Sequence, residues 1–187
     1  MKSPIRSNQT GALKIIVYLL LPAANALALT GATFPADTQT AQCVTDRAGL
    51  TWELKTDDGG VHDKDNLYRW GGMGAERAGT IFFDDWNALV TATNTEKLCG
   101  FSDWRVPTID ELKTLATNPG KNPVVDTTLF PLTVAMPYWS VSTYQHYPEH
   151  AQTVDFATGA SNYYNGFRGD RLPLRLVRGD TLSARKK

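Results

Sequence analysis

Apolar positions along this chain change their spacing several times, and each change marks an element. Leu50, Trp52 and Leu54 alternate with Thr51 and Glu53, the period of a strand with one buried face. With Val44, Thr45 and Asp46 before the turn Arg47-Ala48-Gly49, they predict a hairpin. Leu67-Tyr68-Arg69-Trp70 predicts a further short strand, ended by Gly71-Gly72. From Thr80 the spacing becomes three or four: Phe83, Trp86, Leu89 and Val90 share one helical face, with Asp84 and Asp85 in the first turn, where the helix dipole favours anions. That helix should run to about Asn94.

The densest local signal spans residues 99–112. Trp104 and Val106 alternate with Asp103 and Arg105 as a short strand does, and Pro107 removes the amide that would continue a ladder. Thr108 followed by Glu111 is a capping box, so a second helix should begin at Ile109, turn Leu112 and Leu115 inward and end at Asn118-Pro119-Gly120. Residues 118–137 are irregular and proline-punctuated, with Phe130 and Leu132 as apolar plugs. Strand-like runs follow at 138–143, 153–156 and 174–177. Two central helices, strands towards the end and long loops argue for an α+β domain rather than repeating βαβ units. There is no internal repeat.

The ends of the chain read differently. Residues 1–28 carry Lys2, Arg6 and Lys14, an apolar run from Ile15 and the motif Ala26-Leu27-Ala28, the pattern of a cleaved secretory leader. As a membrane anchor the run is short, since Pro22 and Asn25 interrupt it and a span needs roughly 20 apolar residues. Residues 29–42 lack periodicity and read as a disordered lead-in, residues 43–179 as the domain, and residues 180–187 as a basic tail. Cleavage would remove three basic residues from a chain with 19 basic and 19 acidic side chains, leaving the mature protein mildly acidic. With no basic stripe, nucleic acid is a poor partner.

Cys43 and Cys99 are the two cysteines of the chain. In an oxidising compartment such an isolated pair bonds, whereas a reactive thiol pair lacks support from a C-x-x-C spacing. Arg105, between two positions that want burial, should pair with Asp103, Asp110 or Glu111. Asp57, Asp58, Asp63 and Asp65 lie in a turn-rich loop that offers hard oxygen ligands for calcium, although without EF-hand order. His146 and His150 are four apart, but Pro148 between them breaks any helical metal site. Ser140 and Ser142 lack a nucleophile elbow, and Gly71-Gly72-Met73-Gly74 lacks the order of a phosphate loop. No nucleophile stands with its base, so no catalytic residue is assigned.

Tyr144 and Tyr147, with Asn162, Tyr163, Tyr164, Asn165 and Arg168, carry a different signal. Loop tyrosines offer flat apolar faces at low entropic cost, and amides read hydroxyls, a combination suited to stacking and recognising sugar rings.

Taken in order, Val44-Thr45-Asp46 with Gly49-Leu50-Thr51-Trp52, Asp57-Asp58-Gly59-Gly60 with Asp63-Lys64-Asp65-Asn66 and Tyr68-Arg69-Trp70, Cys99-Gly100 with Asp103 to Thr108 and Glu111-Leu112, Tyr138-Trp139-Ser140, and Arg175-Leu176-Val177-Arg178 resemble one family. It is the C-terminal domain family of the Legionella collagen-like adhesin, and the resemblance covers about residues 43–179. It implies a C-type-lectin-like α+β fold of two helices, a small mixed or antiparallel sheet and long loops. It also implies export to the periplasm or cell surface. The adhesin that names the family binds sulfated polysaccharides. This chain departs from it in lacking a collagen-like repeat and in its acidic balance, which counts against polyanion binding. It also lacks the extra cysteines that many members carry between the first strands and the first helix.

The expected function is therefore a secreted or envelope-associated ligand-binding module whose partner is a glycan or a surface protein. Trp52, Trp104 and Trp139 should hold the scaffold, and the polar loops should face the ligand. One alternative is an oxidase resembling the formylglycine-generating enzymes, which share the lectin-like fold and need accessible thiols. Another is a structural subunit of an envelope complex.

Overall fold

The computed structural model describes residues 42–71, 85–162 and 166–180, all within the compact unit Gln39–Lys187. The leader, nearly all of the lead-in, the Gly72–Gly74 turn, the expected first turn of the first helix and the end of the basic tail lie outside the described residues. The elements in order are β1 (Cys43–Thr45), β2 (Thr51–Glu53), α1 (Asp85–Glu96), a single 3₁₀ turn (Leu98–Gly100), α2 (Ile109–Lys113), β3 (Pro137–Thr143), β4 (Ala151–Asp155), β5 (Ser161–Asn162) and β6 (Val177–Arg178). They form two antiparallel three-stranded sheets, ordered β1-β2-β6 and β3-β4-β5. The class is α+β.

The first hairpin closes as its sequence directs. Asp46 Oδ1 accepts the Leu50 amide (3.0 Å), its Oδ2 accepts the Trp52 indole N–H (2.9 Å), and Gly49 takes the positive φ of 75° that the turn requires. Leu50 and Trp52 are buried as expected, but Thr51 and Glu53 on the opposite side are buried too. β2 is the central strand of its sheet and carries the polar network described below on its second face.

Two expected strands shrink to single bridges. Tyr68 exchanges both backbone bonds with Leu172 (2.9 and 3.0 Å), and Arg105 does so with Val177 (2.8 and 2.9 Å). Pro173 follows one bridge and Pro107 lies two residues beyond the other, and neither can donate to a longer ladder. Helix α1 ends at Glu96 rather than at Asn94, while α2 is only five residues long. The capping box is complete: the Glu111 amide donates to Thr108 Oγ1 (3.3 Å), and the Thr108 amide donates to Glu111 Oε2 (2.9 Å). The same Glu111 carboxylate receives both terminal nitrogens of Arg105 at 2.8 Å, one of the three partners the sequence reading offered that arginine.

Strand period places two apolar clusters back to back. Tyr138 on β3 joins Leu50, Trp52, Ile109, Leu112, Phe156 and Val177, whereas its neighbour Trp139 faces Trp70, Trp86, Leu89, Trp104, Leu174 and Leu176. All five tryptophans of the chain are buried. Four of their indole N–H groups are satisfied by Asp46 or by the carbonyls of Ser140, Leu98 and Tyr68. These indoles are scaffold, as the sequence reading held for Trp52, Trp104 and Trp139. Cys43 and Cys99 are disulfide-bonded, fastening β1 to the turn after α1.

A buried polar hub sits against β2. Glu53, with no exposed surface, accepts Lys55 Nζ (2.8 Å) and His62 Nδ1 (2.7 Å) on Oε1 and the Leu176 amide (2.8 Å) on Oε2. Arg175 donates from Nη1 to the Glu53 carbonyl (2.8 Å) and from Nη2 to Thr133 Oγ1 (2.9 Å). The other His62 ring nitrogen meets Glu96 at the end of α1. Burial alone would raise the Glu53 carboxyl, but Lys55 and His62 overcome it and hold it at about 2. Burial likewise works against the charged form of His62, yet Glu53 and Glu96 lift its pKa above the ordinary histidine value.

Candidate binding surface

The loop joining β3 to β4 brings several aromatic side chains together. It turns at Pro148, with the His150 amide donating to the Tyr147 carbonyl (2.9 Å) and the Tyr144 amide reaching back to the His150 carbonyl (3.4 Å). This fold-back stacks the Tyr144 and Tyr147 rings with centroids 5.9 Å apart and planes 13° from parallel. His146 meets Tyr144 edge-on at 5.5 Å, and His150 meets Tyr147 at 6.2 Å. Phe167 then packs edge-on against His150 at 5.8 Å, so five rings form one continuous ridge. Tyr147 is 46% exposed and Phe167 37%, high values for side chains of this size.

Phe167 reaches the ridge because the chain at Gly166 passes almost against β4. The Ala151 amide donates to the Gly166 carbonyl (2.8 Å), the Arg168 amide to the Glu149 carbonyl (3.0 Å), and His150 bridges Phe167. A Cβ at Gly166 would lie 1.9 Å from the Ala151 carbonyl oxygen, so only glycine permits this approach. The sequence reading placed specificity in residues 144–150 and 162–171, which contain His146, His150 and Phe167, but named none of the three as a ligand contact and set the histidines aside only as metal ligands. A glycine immediately before an unpatterned phenylalanine was the available signal.

The other residues expected at this surface divide. Asn162 ends β5 opposite Thr153, so its backbone lies on the same sheet. Tyr163, Tyr164 and Asn165 lie outside the described residues. Arg168 is not on the ridge: it is 4% exposed, and its guanidinium lies 4.0 Å over the Trp70 ring. Burial lowers its pKa, with Glu149 opposing that shift. The arginine faces inward because its backbone pairs on both sides, with the Glu149 carbonyl and with the Trp70 amide (3.2 Å).

Beside the ridge is a shallow hollow of about 270 Å³ lined by Thr143, Tyr144, Gln145, His146 and Gln152. Gln152 Nε2 donates to the Thr143 carbonyl (3.1 Å), which orients its amide. A larger hollow of about 460 Å³ lies over Leu115 and Phe130, beside the β1–β2 turn. The carboxylates at its edge are engaged locally, Asp46 by Leu50 and Trp52, and Asp126 by the Thr128 amide and hydroxyl.

In the acidic loop, the four aspartates are tied up by the loop itself. Asp63 accepts the amides of Asp58, Gly59 and Asp65, and these bonds hold its carboxyl below the usual range. Asp58 accepts from the Gly60 amide and the Thr56 hydroxyl. Lys64 Nζ pairs with Asp57 (2.8 Å) and Asp65 (2.7 Å). Among the described residues, no three His, Cys, Asp or Glu side chains converge as a metal site would require. Nor is any described helix long and apolar enough to cross a membrane.

The order of motifs along the chain has a counterpart among known families. The chain belongs to the Lcl C-terminal domain family, whose model matches residues 42–178. No curated protein and no solved structure matches it.

Proposed function

We propose, with that family membership as the premise, that the chain is an exported, adhesin-like binding module whose β3–β4 loop engages a glycan. The observation that carries the reading is the ridge of Tyr144, His146, Tyr147, His150 and Phe167, exposed at His146, Tyr147 and Phe167 and built on a scaffold whose tryptophans are all inside. Aromatic faces take up the C–H faces of sugar rings, and neighbouring amides and hydroxyls exchange hydrogen bonds with sugar hydroxyls. Two helices, small antiparallel sheets and long loops support a C-type-lectin-like arrangement. Binding rather than catalysis is favoured because both cysteines are in one bond, which leaves a formylglycine-type oxidase reaction without a free thiol.

A glycan array probed with the full chain and with Tyr147→Ala and Phe167→Ala tests the reading. Each variant should lose roughly 1–3 kcal/mol of binding, the range of a well-placed aromatic anchor, with the folded state unchanged because both rings are exposed. Retained glycan binding in both variants would remove the ridge as the site, and retention of a surface protein in place of any glycan would remove the sugar.

A further inference from the structure

The hollow beside the ridge constrains what kind of sugar could bind. Building on the proposed glycan site, we infer that its ligand is an uncharged sugar residue, a neutral hexose unit at a chain end or branch, and not a sulfated or uronic-acid residue. The described lining consists of Thr143, Tyr144, Gln145, His146 and Gln152, residues whose side chains carry hydroxyl, phenol, amide and imidazole groups. It holds no lysine, arginine, aspartate or glutamate. A bound sulfate or carboxylate would have to leave water without the fork of charged donors that normally replaces its hydration. A neutral hydroxyl is both donor and acceptor, and a glutamine amide presents both functions side by side.

Three charged groups around the loop have partners outside the hollow. Arg168 is buried on Trp70, and Glu149, from the loop itself, faces that guanidinium electrostatically. Arg171 Nη1 donates to the Leu67 carbonyl (3.3 Å). Within the hollow, the Gln152 carbonyl oxygen remains an acceptor after its Nε2 is used by Thr143, and the Gln145 side chain is exposed. At about 270 Å³ the hollow sits below the roughly 300–1,000 Å³ of drug-sized sites, which suits one ring more than an extended chain.

The test titrates the full chain with neutral oligosaccharides and with sulfated or uronate-bearing forms of the same backbones. It is run at low and high salt, at a pH where histidine is neutral. The neutral ligands should bind with affinity changing by less than about twofold between the salt conditions, since no charge pair is formed. Gln145→Ala should weaken binding by roughly tenfold, one hydrogen bond's worth, at an unchanged melting temperature. Preference for the sulfated forms with affinity falling in salt would overturn the inference, while the glycan reading would stand if Tyr147→Ala still abolished that binding. Failure of every glycan in both classes would overturn the two together.

Discussion

Glu53 shows how one side chain sets the pH behaviour of the molecule. Its carboxylate joins β2 to the segment leading into β6 through the Leu176 amide, and to the acidic loop through His62. His62 then reaches Glu96, so one ring connects the hub, the loop and the end of α1. Facing a carboxylate from each nitrogen, the ring is best satisfied as the imidazolium, which donates from both sides. The signs follow from the two shifts. The Glu53 contribution is fully present above its ordinary value of 4.5 and is lost as pH falls through about 2. The His62 contribution is fully present below its ordinary 6.5 and is lost as pH rises through its elevated folded value. Denaturant midpoints should therefore be highest between these two ordinary values and decline on both sides. His62→Gln should flatten the alkaline decline and move the acid one to higher pH, because Glu53 loses one of the two cations that hold its carboxyl down. An unchanged alkaline slope in that variant would show that His62 is not the group titrating. None of this was legible beforehand, because strand alternation alone assigns Glu53 to solvent. Its burial depends on a strand pairing 123 residues downstream.

At the scale of elements, the local signals that hold are the helix cap and the hairpin turn, while the strands read at 67–70 and 104–106 are single bridges and α2 stops at Lys113. The capping box needs only Thr108 and Glu111 three residues apart, and the hairpin needs only Asp46 and Gly49 in the turn. A five-residue helix is too short to persist on backbone bonds alone, so α2 depends on its cap and on Arg105. Glu111→Gln keeps the shape but sets an amide against the guanidinium. It should cost roughly 1–3 kcal/mol, more than the ~1 kcal/mol typical of losing a capping hydroxyl in Thr108→Ala. Urea unfolding of the two variants compares them, and an equal or smaller loss in Glu111→Gln would mean that the arginine pair adds nothing to the cap. The aromatic ridge shows the opposite limit. Tyr144 and Tyr147 are neighbours in sequence and were visible as a pair, whereas Phe167 joins them only through the close pass at Gly166. Arg168 misled for the same reason, since its neighbour Trp70 lies almost a hundred positions earlier.

For the whole molecule, β3 and the 174–177 segment run between two apolar clusters, and the disulfide is fixed at one side of this arrangement. Cys43 begins β1, whose partner β2 contributes Trp52 to one cluster, while Cys43 itself packs against the other. Cys99 lies next to Leu98, a member of that second cluster. The bond therefore links the start of the domain to the end of α1, closing a loop with a sequence separation of 56. Chain entropy for a loop of that size corresponds to about 4 kcal/mol, a large share of the stability of a domain this size. Replacing both cysteines by serine should lower the unfolding free energy by about that amount and raise the denaturant slope, because the unfolded chain is no longer held compact. The ridge lies on the other sheet, around the β3–β4 loop, so the folded fraction of the variant should keep its glycan affinity. Full stability without the bond would mean that the apolar clusters alone hold α1 against β1. Lost affinity in a still-folded variant would mean that the two sheets are coupled through β3 more tightly than their separate clusters imply.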